Sequence, residues 1–282
     1  MKSLFPSPFQ PDDEGEGDRP RRRRLREIPL RMLIPNMITL SSLYAGLTAI
    51  RMALEARFEF AVGLIILAAV LDAVDGRTAR LLKSTSRFGA ELDSLVDFVN
   101  FGVAPAILLY VWALNDLGAI GWVAASLYAI CMVLRLARFN VMLDDTDRPS
   151  WMANYFVGIP APAGALAVML PLYLEFVGLP YLHEVVFLVM IYVLTVAALA
   201  VSRVPTYSGK RMGLRISREW VVPIFAAVVL FVALAASFHW HMMLALTLFY
   251  LAMIPVGAAR YRRLERSSAT PSATGGSKTD AG

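Results

Sequence analysis

Eight separate stretches of this chain are each apolar over about the 20 residues that a helix needs to cross a hydrocarbon layer. They lie near residues 33–50, 58–76, 94–114, 118–139, 156–178, 183–202, 220–238 and 241–259. The gaps between them are too short to hold a soluble domain. In lipid every backbone N–H and C=O must be satisfied internally, so such stretches become helices. The expected fold is therefore all-α, a polytopic membrane bundle of about eight transmembrane helices. Composition agrees: 57% of the 282 residues are hydrophobic and 17% are charged, against about 45–50% and about 25% in a soluble domain. This excludes a soluble globular enzyme, a disordered chain and a disulfide scaffold. The one cysteine, Cys131, lies in an apolar run and has no partner for an internal disulfide. His183, His239 and His241 stand far in sequence from the acidic cluster described below, which argues against a Cys/His zinc site.

Charge gives the orientation. Of the 27 Lys and Arg, all but Arg51 and Arg57 fall on the two tails and on alternate loops, 77–93, 135–155 and 203–219. By the positive-inside tendency these face the cytoplasm, together with both termini. Residues 1–30 read as a disordered cytoplasmic tail. It is acidic at Asp12, Asp13, Glu14, Glu16 and Asp18, then basic from Arg21 to Arg24 and at Arg26. It has no apolar core beside its charges and so does not read as a cleavable signal peptide. An arginine run just ahead of an apolar helix reads as a topology signal and lipid-surface contact, not a nucleic-acid site. Residues 31–262 form the membrane-embedded domain, and 263–282 a flexible cytoplasmic tail rich in Ser, Thr and Gly. If the source is a bacterium, the membrane is the inner one.

The chemistry concentrates where the second and third apolar stretches meet the cytoplasmic boundary. Asp72 and Asp75 are spaced i, i+3, and Asp93 and Asp97 i, i+4, so each pair shares one helix face. The connection between them is short, which makes the helices antiparallel neighbours. Four carboxylates repel one another, and each charge placed in a membrane helix costs at least about 2.5–3.5 kcal/mol. Salt bridges to Arg77, Arg80 and Arg87 offset some charge but do not explain the matched inward spacing. One or two divalent cations do. Carboxylates without Cys or His favour hard ions, Mg²⁺ or Mn²⁺. Gly76 and Ala79 leave space on the same side, and Arg80 suits a phosphate. Metal, arginine and space together describe a pyrophosphate-bearing substrate at the membrane surface.

The run Asp72-x2-Asp75-Gly76-x2-Ala79-Arg80-x8-Gly89-x3-Asp93-x3-Asp97 resembles the complete signature of the CDP-alcohol phosphatidyltransferases, with all eight fixed positions present. Shorter segments resemble the branch that takes serine as acceptor, the CDP-diacylglycerol–serine O-phosphatidyltransferases. These are Ile34-Pro35-Asn36-Met37-Ile38-Thr39, Arg135-Leu136-Ala137-Arg138-Phe139-Asn140, Phe156 to Pro162 and Val201 to Pro205. The likeness covers roughly residues 31–260. It implies a membrane transferase built around a dinuclear metal site and acting as a homodimer. CDP-diacylglycerol and L-serine would be its substrates and CMP a product. Asp72, Asp75 and Asp93 are then the principal metal ligands. Asp97 matches the position of the general base and is also a candidate ligand; the two roles compete, because a carboxylate beside cations is a weak base. Gly76, Ala79, Arg80 and Gly89 match the CDP pocket.

Other positions carry two readings each. Asn36 and Thr39 either contact the nucleotide or hydrogen-bond between helices. Ser86 either contacts the nucleotide or caps a helix. Arg135 and Arg138 either bind the serine carboxylate or the donor phosphates, with Asn140 as a polar contact, or anchor the helix at the cytoplasmic face. Glu91 is a weaker candidate for the serine ammonium. Pro35, Pro160, Pro162, Pro171 and Pro223 are expected to kink helices, and Trp112, Trp122, Trp220 and Trp240 to form an interfacial belt. Two alternatives stay open. One is the same enzyme class with glycerol 3-phosphate, inositol phosphate or choline as acceptor, for which Lys210, Arg211, Arg215 and Arg218 offer cationic contacts. The other is a divalent-cation transporter, against which the boundary position of the aspartates, beside Arg77 and Arg80, argues.

Overall fold

The computed structural model describes residues 30–82, 86–143, 155–179, 185–202, 205–207, 223, 225 and 237–269. The expected N-terminal tail, Lys83, the cluster of Lys210, Arg211, Arg215 and Arg218, Trp220, most of the seventh apolar stretch and the C-terminal end lie outside the described residues.

The architecture is helical. Helix α1 (Leu30–Leu54) packs along α2 (Phe58–Leu81) over most of its length. Helix α3 (Arg87–Asp97) runs into a π-helical segment, Phe98–Val103, and on into α4 (Ala104–Trp112). A short 3₁₀ turn leads to α5 (Ala119–Leu143). Strand β1 (Tyr155–Val157), α6 (Ala161–Val168), α7 (Leu170–Phe176), α8 (Val186–Val201), β2 (Pro205–Tyr207) and α9 (His239–Ala269) follow. The two strands pair antiparallel, Phe156 opposite Thr206. The core lies where α4, α5, α6 and α8 meet, around Phe101, Leu108, Tyr128, Met132, Val168 and Val193. Large apolar side chains such as Tyr44, Phe60, Phe187 and Phe249 point outward, as lipid-facing positions do.

Four helical stretches among the described residues are long and apolar enough to cross a membrane: Leu33–Leu54, Arg87–Trp112, Ala119–Met142 and His239–Gly257. They correspond to the first, third, fourth and eighth expected spans. The second is a helix of 24 residues whose last turns carry Asp72, Asp75, Arg77 and Arg80. The sixth is a helix of 16 residues. The fifth is not one helix. It opens as β1 and then breaks between α6 and α7 at Met169.

Proline explains two interruptions. Pro171 has no N–H to give to the carbonyl of Ala167, four residues earlier, and the hydroxyl of Tyr192 donates to that carbonyl instead, at 2.6 Å. Pro105 likewise leaves the carbonyl of Phe101 without its helical donor, and the hydroxyl of Tyr128 supplies it at 3.0 Å. The π-helical segment sits directly before Pro105. Of the expected kinks, Pro35 lies inside α1, whereas Pro160 caps α6 and Pro162 and Pro171 stand in first turns. A first turn tolerates proline, because its N–H has no partner inside the helix.

Gly158 takes a positive φ of 80°, and a Cβ there would lie 2.7 Å from the carbonyl oxygen of Ala200. Glycine thus lets the chain after β1 press against the end of α8. The expected interfacial belt does not include Trp112. That side chain is buried, and its Nε1 donates to Glu175 Oε2 at 3.0 Å. Trp240 packs on Phe176 and Tyr173, fastening α9 to α7.

Candidate active site

Three helices bring the carboxylates together. Asp72 and Asp75 stand near the end of α2, and Asp93 and Asp97 on the last turns of α3. Oxygens of Asp72, Asp75 and Asp93 all lie within 4.8 Å of one another. Asp97 is beside them, with its carboxyl in hydrogen-bonding reach of Asp72. Its Oδ1 is buried and has no hydrogen-bond partner among the described residues.

Helix α1 supplies the third wall. Thr39 Oγ1 donates to Asp75 Oδ2 at 2.8 Å and also lies 3.1 Å from the carbonyl of Pro35. Asn36 approaches the N-terminus of α3. A Cβ at Gly89 would lie 3.2 Å from Asn36 Oδ1 and 3.1 Å from Ser86 Oγ. Gly89 therefore permits the close approach of α1 and α3. Ser86 is the N-cap of α3: its Oγ accepts from the Gly89 amide at 3.0 Å, and its extended backbone starts the helix.

These residues fit a divalent cation. The donors are all carboxylate oxygens, with no Cys or His in the cluster, which is the set that hard cations take. Among the described residues no lysine or arginine forms an ion pair with the four acids; the ion pair found joins Arg51 and Glu55. Among the described residues the acids thus converge without a side-chain cation in ion-pair contact. Space is present as well, since a Cβ at Gly76 would meet nothing within 4 Å among the described residues. Arg80 is exposed beyond it on the same helix, and Ala79 is half-buried.

The α5 residues divide. Arg135 is only 8% exposed. It interacts electrostatically with Asp97 and with Tyr250 of α9, and its guanidinium lies 5.3 Å from the Phe139 ring. Arg138 donates to the carbonyl of Val201 at 2.6 Å and so ties α5 to α8. Asn140 Nδ2 donates to Ser94 Oγ at 2.9 Å, tying α5 to α3. Glu91 is exposed.

Sequence reasoning missed Ser94, which stands beside Asp93, and Tyr250, whose buried hydroxyl has no hydrogen-bond partner among the described residues. Neither is flagged by a motif. Tyr250 comes from the last helix, more than a hundred residues from the acids. A deeper layer was missed too. Ser42 and Asn100 are fully buried and hydrogen-bonded to each other. Their spacing from Thr39 and Asp97, i, i+3 in each case, is a sequence signal by which they could have been found.

The family model described as CDP-alcohol phosphatidyltransferase matches residues 32–204, and a second, CDP-alcohol phosphatidyltransferase 2, matches residues 219–255. A Mycobacterium leprae protein named CDP-diacylglycerol–serine O-phosphatidyltransferase is 43% identical over 255 residues, covering 87% of this chain and 80% of its own. A Helicobacter pylori protein of the same name is 35% identical over 204 residues, covering 72% of this chain and 81% of its own. One from Bacillus subtilis is 41% identical over 137 residues, 49% of this chain and 73% of its own.

Proposed function

The chain belongs to the CDP-alcohol phosphatidyltransferase family, and from that premise we propose that it transfers the phosphatidyl group of CDP-diacylglycerol to the hydroxyl of L-serine, releasing CMP. The observation that carries the reaction class is the convergence of Asp72, Asp75 and Asp93 oxygens within 4.8 Å, with Asp97 alongside. The choice of serine is supported by the names of the relatives.

Asp72, Asp75 and Asp93 would hold one or two divalent cations, Mg²⁺ or Mn²⁺. When bound, such ions stabilise the charge that builds on phosphate oxygens during phosphoryl transfer. Thr39 fixes the rotation of the Asp75 carboxylate through its hydroxyl. Gly76 and Ala79 leave room for the cytidine diphosphate head, and Arg80, beyond them, neutralises phosphate charge. Asn36 and Gly89 form the opposite wall of that pocket, and Ser86 starts the helix that carries Gly89. Asp97, with one buried oxygen open to a donor, accepts the proton of the serine hydroxyl as the serine oxygen bonds to the lipid-bearing phosphorus. The bond from that phosphorus to the bridging oxygen breaks, and CMP leaves with the oxygen. Arg135, which interacts electrostatically with Asp97, binds the serine carboxylate, while Arg138 and Asn140 hold α5 against α8 and α3.

In this reading the protein is an integral membrane enzyme with eight spans, a catalytic domain at residues 31–262, and cytoplasmic segments at 1–30 and 263–282. Its active site and termini face the cytoplasm, it acts as a homodimer, and its donor enters sideways from the bilayer. Serine-dependent CMP release by purified protein tests the assignment. Release only with another acceptor replaces serine and discards the role given to Arg135. Absence of release with every acceptor, in folded protein that binds CDP-diacylglycerol, removes the enzyme class.

A further inference from the structure

One turn deeper in the bundle than the acids lies a buried hydrogen-bond chain that no step of the reaction uses; it starts at Asn100, whose Oδ1 has no hydrogen-bond partner among the described residues. Asn100 Nδ2 donates to Ser42 Oγ at 2.8 Å, and Ser42 Oγ donates to the carbonyl of Ala68 at 2.9 Å. Both side chains are fully buried. The three members sit in fixed relation to the site above them. Ser42 follows Thr39 by three residues on α1, and Asn100 follows Asp97 by three. Ala68 precedes Asp72 by four on α2, so its carbonyl is also the helical acceptor of the Asp72 amide. The chain therefore joins, at one height, the three helices that build the carboxylate cluster.

Two further features make room for this contact. Asn100 lies in the π-helical segment, where the extra residue of the wider turn changes the direction of the side chains that follow Asp97. On the facing helix, a Cβ at Gly46 would overlap the Asn100 carboxamide. Gly46 lies four residues after Ser42 and leaves the space that Asn100 fills.

We propose that Asn100 and Ser42 are positioning residues for the metal cluster: together they set the height and rotation of Asp97 and Asp93 against Asp72 and Asp75. The inference rests on the metal-site reading given above. Its physical basis is that carboxylates from two different helices form a tight ion site only if those helices cannot slide. Contacts that orient first-contact ligands typically govern metal affinity or activity by a factor of about 10 to 100.

The test separates positioning from stability. Replacing both partners by apolar groups leaves no orphaned polar atom and is close to neutral for folding. Ser42→Ala alone leaves the Asn100 amide without its acceptor. The full chain is purified in detergent as wild type, Ser42→Ala, the double variant Ser42→Ala/Asn100→Leu, and Asp93→Asn. Free Mn²⁺ is followed by electron paramagnetic resonance, beside the unfolding midpoint and the kcat and KM for CMP release. The double variant is expected to melt near wild type and above Ser42→Ala, yet to bind Mn²⁺ about 10- to 100-fold more weakly. Its kcat should fall while its KM for CDP-diacylglycerol stays close to wild type. A double variant with wild-type Mn²⁺ affinity and kcat overturns the inference. So does one that does not fold, because the pair is then a folding requirement. If wild type itself binds no Mn²⁺, the metal-site reading fails and this inference with it. If wild type binds Mn²⁺, Asp93→Asn does not, and the double variant binds like wild type, this inference alone fails.

Discussion

Replacing Thr39 by valine removes one hydroxyl and almost no volume. Thr39 is buried at 4% exposure, so neither water nor a new rotamer readily takes over its contact. The bond lost is the 2.8 Å donation to Asp75 Oδ2. A hydrogen bond to a charged group contributes about 1.5–3 kcal/mol, and about 1.4 kcal/mol is a factor of ten in an equilibrium constant. Loss of the whole bond would thus weaken cation binding by about 10- to 150-fold. A bound cation already neutralises part of the Asp75 charge, which places the expected effect near the lower end, about tenfold. The assay is serine-dependent CMP release as a function of Mn²⁺ concentration. Thr39→Val should raise the Mn²⁺ midpoint about tenfold and recover most of its rate at saturating metal. Thr39→Ser, which keeps the hydroxyl, should stay near wild type. An unchanged Mn²⁺ midpoint in Thr39→Val would refute the reasoning, because Asp75 would then be either properly held without Thr39 or not a ligand.

Three other outcomes are expected. Asp97→Asn should lower kcat by about 10² to 10⁴, the range for a lost general base, while CDP-diacylglycerol binding measured by calorimetry persists. Arg135→Lys keeps the charge but loses the guanidinium fork, and should raise the KM for serine about tenfold with the KM for CDP-diacylglycerol unchanged. Gly158→Ala forces a side chain into a positive-φ position against the Ala200 carbonyl; it should cost about 1–3 kcal/mol, seen as a lower melting temperature with kcat per folded enzyme intact.

The acidic site was legible because its information is local. Asp72 and Asp75 lie on one helix face and Asp93 and Asp97 on another, and a short connection makes those helices neighbours. The helical period and the loop length suffice to bring Asp72, Asp75 and Asp93 together. The wall supplied by α1 was only half legible. Thr39 carries two readings from sequence, a nucleotide contact or a hydrogen bond between helices, and its donation to Asp75 depends on how α1 rolls against α2. The α5 residues show the same limit. Arg135, Arg138 and Asn140 share a segment, yet Arg138 and Asn140 meet Val201 and Ser94, while Arg135 interacts electrostatically with Asp97. Only the packing of α5 against two different helices separates them.

The fold was legible as helices and less so as spans. Apolar content marks a stretch as buried in something, but not where its backbone breaks. Residues 156–178 read as one apolar run, while Pro162 and Pro171 divide it into β1, α6 and α7. Pro105 was an available signal for the π-helical segment ahead of it. A proline at a helix start ordinarily disturbs nothing, so the residue alone does not announce the wider turn. Trp112 misled for a related reason: its position near the end of an apolar run suits an interface, but Glu175 gives its indole an internal acceptor.

In the proposed function this chain moves the phosphatidyl group onto serine, and Asp72, Asp75 and Asp93 would hold a divalent cation that stabilises phosphate charge. The most direct test is CMP release from CDP-diacylglycerol by the purified full chain with Mn²⁺ or Mg²⁺, comparing L-serine with glycerol 3-phosphate, inositol phosphate and choline. The account predicts release with serine alone, abolished by chelation, restored by added metal and absent in Asp93→Asn. Release that survives both chelation and Asp93→Asn would contradict it.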